Sequence, residues 1–190
     1  VIVKEKIDLA DVVRNPGRVI NLLEDIQGNL WIATSNYLFF KKNNDQKVGV
    51  VQGDIPVFAS IAQDRKGYIW GVNSQKGVYQ LKYADKISIV NHYDDSSYFA
   101  DNDKSVNLCI DGYDNVWINT TGGRLISLDR NKHLFKDRTE DCNVKGKDII
   151  RIMADQGSIW IMTNKSLIRH DLSNHGNIQY SISDENIFIS

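Results

Sequence analysis

The stretch EDIQGNLWIAT at 24–34 returns three times in altered form, as QDRKGYIWGVN at 63–73, DGYDNVWINT at 111–120 and ADQGSIWIMT at 154–163. These copies hold all four tryptophans of the 190-residue chain, Trp31, Trp70, Trp117 and Trp160, spaced 39, 47 and 43 residues apart. Self-similarity at roughly 40–50 residues points to a propeller or a helical array. The runs around each Trp decide between them. Before it come RVINLLED, VFASIAQD, SVNLCID and DIIRIMAD, and after it YLFFKK, GVYQLKY, RLISLDR and SLIRHDL. All are short, rich in Val, Ile, Leu and aromatics, and broken by Gly, Asn and Asp, which is strand and hairpin grammar. A helical array needs runs of about ten or more residues with apolar spacing of three and four, and none is visible.

Each repeat reads as four strands. A variable strand such as KVGVVQG or KISIVNHY comes first, and the second strand ends in Asp25, Asp64, Asp111 or Asp155. The third carries the Trp, and the fourth follows a second turn. This phase places blades at about 1–42, 43–83, 84–130 and 131–173, with 174–190 as a strand of a following blade and VIVKEKID as a leading strand. Gly28, Gly67 and Gly157 lie in the turn before Trp, where a positive φ is easiest for Gly; repeat 3 places Asp114 and Asn115 there, which also tolerate it. The Asp carboxylate is expected to accept turn amides. Three residues beyond each Trp stands Thr34, Asn73, Thr120 or Thr163, placed to hold the next turn in the same way.

The Trp strands LWIA, YIWGV, NVWI and IWIM are apolar on both faces. A sheet with one wet face alternates, whereas a blade sandwiched between two neighbours does not. The expected fold class is therefore all-β, a β-propeller of four-stranded antiparallel blades. Four repeats and a trailing strand fit a piece of a larger propeller. An open arc would expose the apolar faces of its end blades, so self-association or a homodimer is expected.

VINLLEDIQGNLWIATSNYLFFKK resembles the two-component regulator propeller repeat, in which a strand is followed by Asp-x-x-Gly-Asn-Leu-Trp-Ile-x-Thr, then Gly-Leu and a final strand. The other repeats match less closely but in the same order, so the resemblance covers roughly 18–172. It departs at Ser35-Asn36-Tyr37 and Asn164-Lys165-Ser166, where the family favours glycines. Trp is not followed by Asp, so the WD-type propeller fits poorly. The resemblance implies a non-catalytic, ligand-sensing segment of the extracytoplasmic, periplasmic region of a hybrid histidine kinase that detects carbohydrate breakdown products. It implies no cofactor, and membrane contact only through flanking regions. Two rivals stand beside it. Streptogramin-inactivating propeller lyases resemble a Trp-Phe-Thr-Glu pattern, but this chain has WIAT, WGVN, WINT and WIMT. An intracellular protein-binding scaffold is the other.

Chemistry is sparse. There is no Gly-x-Ser-x-Gly elbow, no phosphate loop and no close helical His pair. His170 and His175, five apart, read as solvated turn residues rather than metal ligands. DGYDN and DNDKS lack the sixth-position Gly of a calcium loop. A formal net charge of −1 without a basic stripe argues against nucleic acid. No apolar run of about 18 residues exists to span a membrane. The first residue is Val1, which points to an excised segment. Cys109 reads as a small buried hydrophobe; a disulfide with Cys142 requires neighbouring repeats and suitable geometry. A residue that recurs in every repeat is most simply a blade requirement, so function is sought where repeats differ. The largest difference is the insertion NHYDDSSYFADNDK at 91–104. Its His92, Tyr93, Asp95, Tyr98 and Phe99 combine aromatics with carboxylate, a lining suited to a small-molecule or oligosaccharide ligand. The alternative reading is a solvated polar loop. No catalytic and no metal-binding residue is assigned.

Overall fold

The computed structural model describes residues 6–99, 103–182 and 187–189. Residues 1–5 of the expected leading strand, and Asp101 of the insertion, lie outside the described residues; residues 6–8 are not in a strand. Four antiparallel sheets follow one another, each ordered as in the chain. The first comprises β1 (Val19–Glu24), β2 (Leu30–Thr34), β3 (Leu38–Lys41) and β4 (Val48–Val50). The second comprises β5 (Ser60–Gln63), β6 (Ile69–Asn73), β7 (Gly77–Tyr83) and β8 (Ile87–Tyr93). The third holds β9 (Ser105–Ile110), β10 (Val116–Thr120), β11 (Leu125–Asp129) and β12 (Leu134–Asp137). The fourth holds β13 (Ile149–Ala154), β14 (Ser158–Thr163), β15 (Ser166–Asp171), β16 (Asn177–Ile182) and β17 (Ile187–Ile189). Strands β1, β5, β9 and β13 lie side by side, so the sheets are blades set around an inner edge.

The blades are out of phase with the sequence reading by one strand. KVGVVQG does not open the second blade; its β4 pairs with β3 and closes the first, with Phe39 opposite Val50. Likewise β8 pairs with β7, and β16 pairs with β15. Of the segment expected to start a fifth blade, β16 and β17 instead extend the fourth. The reason is loop length. Only residues 42–47 separate β3 from β4, and only 84–86 separate β7 from β8, whereas 51–59 and 94–104 lead onward to β5 and β9. A short link favours pairing of consecutive strands, since closing a longer one costs more entropy.

The repeated Asp is more than a turn cap. Oδ1 of Asp25 accepts the amides of Gln27 and Asn29, while Oδ2 accepts the indole N–H of Trp31 at 2.9 Å, six residues on. Asp64 and Asp111 do the same for Trp70 and Trp117, at 3.0 and 2.8 Å. Asp155 reaches Trp160 at 2.9 Å across five residues. One carboxylate thus ties the hairpin turn to an indole that would otherwise bury an unpaired donor. Gly28, Gly67 and Asp114 adopt φ of 77°, 84° and 64° as expected. Gly157 does not, because the fourth turn is one residue shorter. The second turn also forms as read, with Thr34 Oγ1 accepting the Tyr37 amide, Asn73 Oδ1 those of Gln75 and Lys76, and Thr163 Oγ1 that of Ser166.

Three apolar cores lie between blades, each built on one Trp. Trp31 clusters with Ile61 and Ile69 of the next blade, Trp70 with Leu108 and Val116, and Trp117 with Ile152 and Ile159. Each long connection drops a side chain into the same core: Phe58, Phe99 and Val144. Phe58 fits because Gly71 has no side chain; a Cβ there would stand 2.6 Å from the ring. Cys109 and Cys142 are buried in the third core as free thiols. Burial pushes the Cys142 thiol up to about 12 and raises Cys109 further.

Candidate functional site

Of the five residues that the sequence offers in the insertion, the structure brings Tyr93, Tyr98 and Phe99 to one core and leaves His92 and Asp95 outside it. His92, on β8, stacks on Tyr79 at 4.1 Å and places Nε2 2.5 Å from the Lys76 carbonyl. Tyr93 is buried, stacked on Trp70 at 5.7 Å, and burial raises its phenol above the ordinary range. Phe99 is buried in the same core, edge-on to Phe135. These two aromatics hold blades two and three together, so neither offers a face to a ligand. Asp95 accepts both the amide and the hydroxyl of Ser97, and that hydroxyl holds its carboxyl below the usual range. Tyr98 lies half-buried beside Phe135, with the Arg124 guanidinium 5.2 Å over its ring. Arg124 also donates to the Ser97 carbonyl and to Asp137. The insertion is thus fastened to blade three, leaving His92, Asp95 and one side of Tyr98 accessible.

A second polar locus lies along the inner strands. A cleft of about 380 Å³ is lined by β1, β5, β9 and β13. Asn21, Ser60, Asn107 and Arg151 occupy one structurally equivalent position in it, paired with Ala33, Val72, Asn119 and Met162, each two residues beyond its Trp. The Asn107 amide donates to Asn119 and to the Ile150 carbonyl. The Asn21 Oδ1 is buried without a hydrogen-bond partner, the kind of group a ligand hydroxyl satisfies. This row was missed in the sequence. Its signal is a polar residue recurring at one place in otherwise apolar strands, visible only once the inner strand of each blade is known.

Charge is concentrated elsewhere. Arg130, 10% exposed at its side chain, bridges Asp64 Oδ2 at 2.5 Å and Asp114 Oδ2 at 2.9 Å. Asp64 already accepts the Trp70 indole, so this arginine ties blade three to the turn before Trp70 in blade two. Among the described residues no three His, Cys, Asp or Glu side chains gather as a metal site. His170 and His175 stack at 5.9 Å, and His170 Nδ1 meets Asn177 instead. Among the described residues no helix is long and apolar enough to cross a membrane.

A family model described as two component regulator propeller matches residues 14–36, the first repeat. Comparison with curated proteins finds no relative. Among solved structures, the chain is similar to the extracellular domain of a protein described as a hybrid two component system from B. thetaiotaomicron. That match has 21% identity and a TM-score of 0.66, over 86% of this chain and 23% of that one. A second extracellular domain from that organism, described as a one component system, matches at 14% identity and a TM-score of 0.71, over 88% and 25% of the two chains. Virginiamycin B lyase from Staphylococcus aureus matches at 13% identity and a TM-score of 0.67, over 92% and 59%. The chain therefore spans 23% and 25% of the length of the two extracellular domains. The structural likenesses establish the fold, a run of propeller blades, and the first of these blades carries the regulator propeller repeat.

Proposed function

We propose that the chain is a non-catalytic sensing segment of the extracytoplasmic region of a two-component sensor histidine kinase, periplasmic, with a carbohydrate breakdown product as its ligand. The observation that carries this reading is the regulator propeller match on residues 14–36, set within a four-blade run similar to two bacterial extracellular domains. The chemistry of the inner cleft supports it. Asn21, Ser60, Asn107 and Arg151 supply amide, hydroxyl and guanidinium groups suited to a polyhydroxyl ligand. The carboxylates in the repeated turns are occupied by indoles and amides, which leaves them unsuited to acid–base work. The lyase likeness, at 13% identity, extends to the fold alone.

Calorimetric titration with a panel of oligosaccharides, coupled to product analysis, tests this. Binding without turnover is expected, weakened by Asn107→Ala or Arg151→Ala if the inner cleft is the site, or by His92→Ala or Tyr98→Ala if the insertion is. Turnover of a glycoside or lactone, abolished by removing one carboxylate or histidine, would overturn the reading. So would failure of every saccharide to bind.

A further inference from the structure

Successive blades meet at equivalent positions, and the joint between blades two and three differs in chemistry from the other two. One position is the residue opposite Trp on the next strand: Phe40, Gln80 or Ser127. Another is its partner on the strand after that: Gly49, Asn91 or Lys136. A third comes from the following blade, two residues past the partner of the residue before its Trp: Tyr83, Arg130 or Leu172. In the first joint Phe40 lies against Tyr83, ring centroids 4.6 Å apart. In the third, Arg138 donates to Ser127 and Leu172 packs into the core. Only the second joint places an amide, an amide and a guanidinium there. Its turn differs as well. Asn29 and Asn115 donate to Oδ2 of Asp25 and Asp111 in blades one and three. Blade two has Tyr68 at that place, and Asp64 Oδ2 takes Arg130 of blade three instead.

The result is a pocket of about 270 Å³ walled by blades two and three. Each of these has a described blade on both sides, so the pocket is not an end of the arc. Its donors are free. Lys66 lines it, exposed, and its ammonium has no partner among the described residues. Tyr68 and Tyr93 line it too, and neither phenol oxygen has a hydrogen-bond partner among the described residues. Burial keeps the Tyr93 phenol protonated and so a donor. His133 has φ of 56°, uncommon for a residue with a side chain, and this sets its ring edge-on to Tyr93 at 5.2 Å. Gln80 is fixed by the Asn91 amide at 2.6 Å. No Asp or Glu among the described residues lines the pocket. The nearby carboxylates are taken, Asp64 and Asp114 by Arg130, and Asp129 by the amides of Asn131 and Lys132.

We propose that this pocket binds the anionic group of a small polar ligand, a carboxylate or a sulfate-like oxyanion. Lys66 supplies the charge, and the Tyr68 and Tyr93 hydroxyls donate to the oxygens. An oxyanion accepts several hydrogen bonds at once, and charged acceptors make the stronger ones. A neutral or cationic ligand would leave the Lys66 charge unanswered. The pocket shares no residue with the inner cleft, so the inference stands apart from the saccharide reading.

NMR titration of the 190-residue chain with sodium acetate and, separately, sodium sulfate tests this, at fixed pH and against sodium chloride of equal ionic strength. Saturable shifts are expected at the His133 ring and the Trp70 indole N–H, since Trp70 reaches the pocket through Asp64 and Arg130 and stacks on Tyr93. Saturation by acetate alone marks a carboxylate site, and by sulfate alone a tetrahedral oxyanion site. Lys66→Ala, Tyr68→Phe and Tyr93→Phe should each weaken binding about fivefold or more, because each removes one charge or hydroxyl from the anion. Both Phe variants keep the ring that packs in the core, and circular dichroism checks folding. Lys86→Ala, in the groove between blades one and two, should leave binding unchanged. No saturation by either anion, affinity untouched by all three pocket variants, or equal weakening by Lys86→Ala would each overturn the proposal.

Discussion

Replacing Trp70 by Ala removes the centrepiece of the joint between blades two and three. The indole is fully buried and packs among Leu108, Val116, Ile118 and Phe99. A buried aromatic of this size covers roughly 150–250 Å², and at about 25 cal/mol per Å² that is on the order of 4–6 kcal/mol of transfer free energy. Part is recovered as neighbours relax, and truncations of this kind cost about 3–5 kcal/mol. The indole N–H to Asp64 is lost too, but Arg130 still pairs with that carboxylate. For a domain of this length about 1 kcal/mol moves the midpoint by roughly 2–4 °C, so Tm should fall by on the order of 10 °C. Trp160→Ala is the internal control. That side chain is partly exposed, and its loss should cost measurably less on an area basis. Both are measured by thermal and urea unfolding. Equal losses for the two variants, or an unchanged melting curve for Trp70→Ala, would refute the reasoning that each Trp is stabilised by the blade that follows it.

Arg130→Ala should destabilise by about 3 kcal/mol, because it leaves the Asp64 and Asp114 carboxylates at a blade joint without their shared cation; urea unfolding reads this directly. Gly71→Val should displace the Phe58 ring, which a Cβ at 71 approaches to 2.6 Å, and should lower Tm while leaving the far-UV spectrum of strands in place. Both cysteines should resist a thiol reagent in the native state and react only on unfolding, since burial raises both thiols. Acid should weaken the fold. The carboxyls of Asp155, Asp141 and Asp171 are held low by Trp160, Arg138 and Ser173 respectively. A depressed folded pKa gives stability that is present above the ordinary carboxylate value and lost as pH falls through the folded one. The decline should therefore set in below about pH 4, and each exposed group should contribute little.

The four Trp strands, the Asp turns and the Thr or Asn turns were legible because each is local, with partners within six residues. Blade phase was not. The variable strands 47–53 and 86–93 look equally able to open one blade or close another, and only the short 42–47 and 84–86 links choose between them. The candidate site was less legible still. Tyr93 and Phe99 look like ligand-stacking aromatics in a polar stretch, but Trp70 two strands away claims them for a core. The Asn21, Ser60, Asn107 and Arg151 row was hidden for the same reason as the phase, since it exists only when inner strands are aligned.

The central claim is that each blade buries its indole under the next one and that the last blade leaves its own partly open. Hydrogen exchange at the four indole N–H groups, followed by NMR, tests it most directly. The account predicts three strongly protected signals, from Trp31, Trp70 and Trp117, and one distinctly faster signal from Trp160. Four signals with equal protection, or fast exchange at any of the first three, would contradict it.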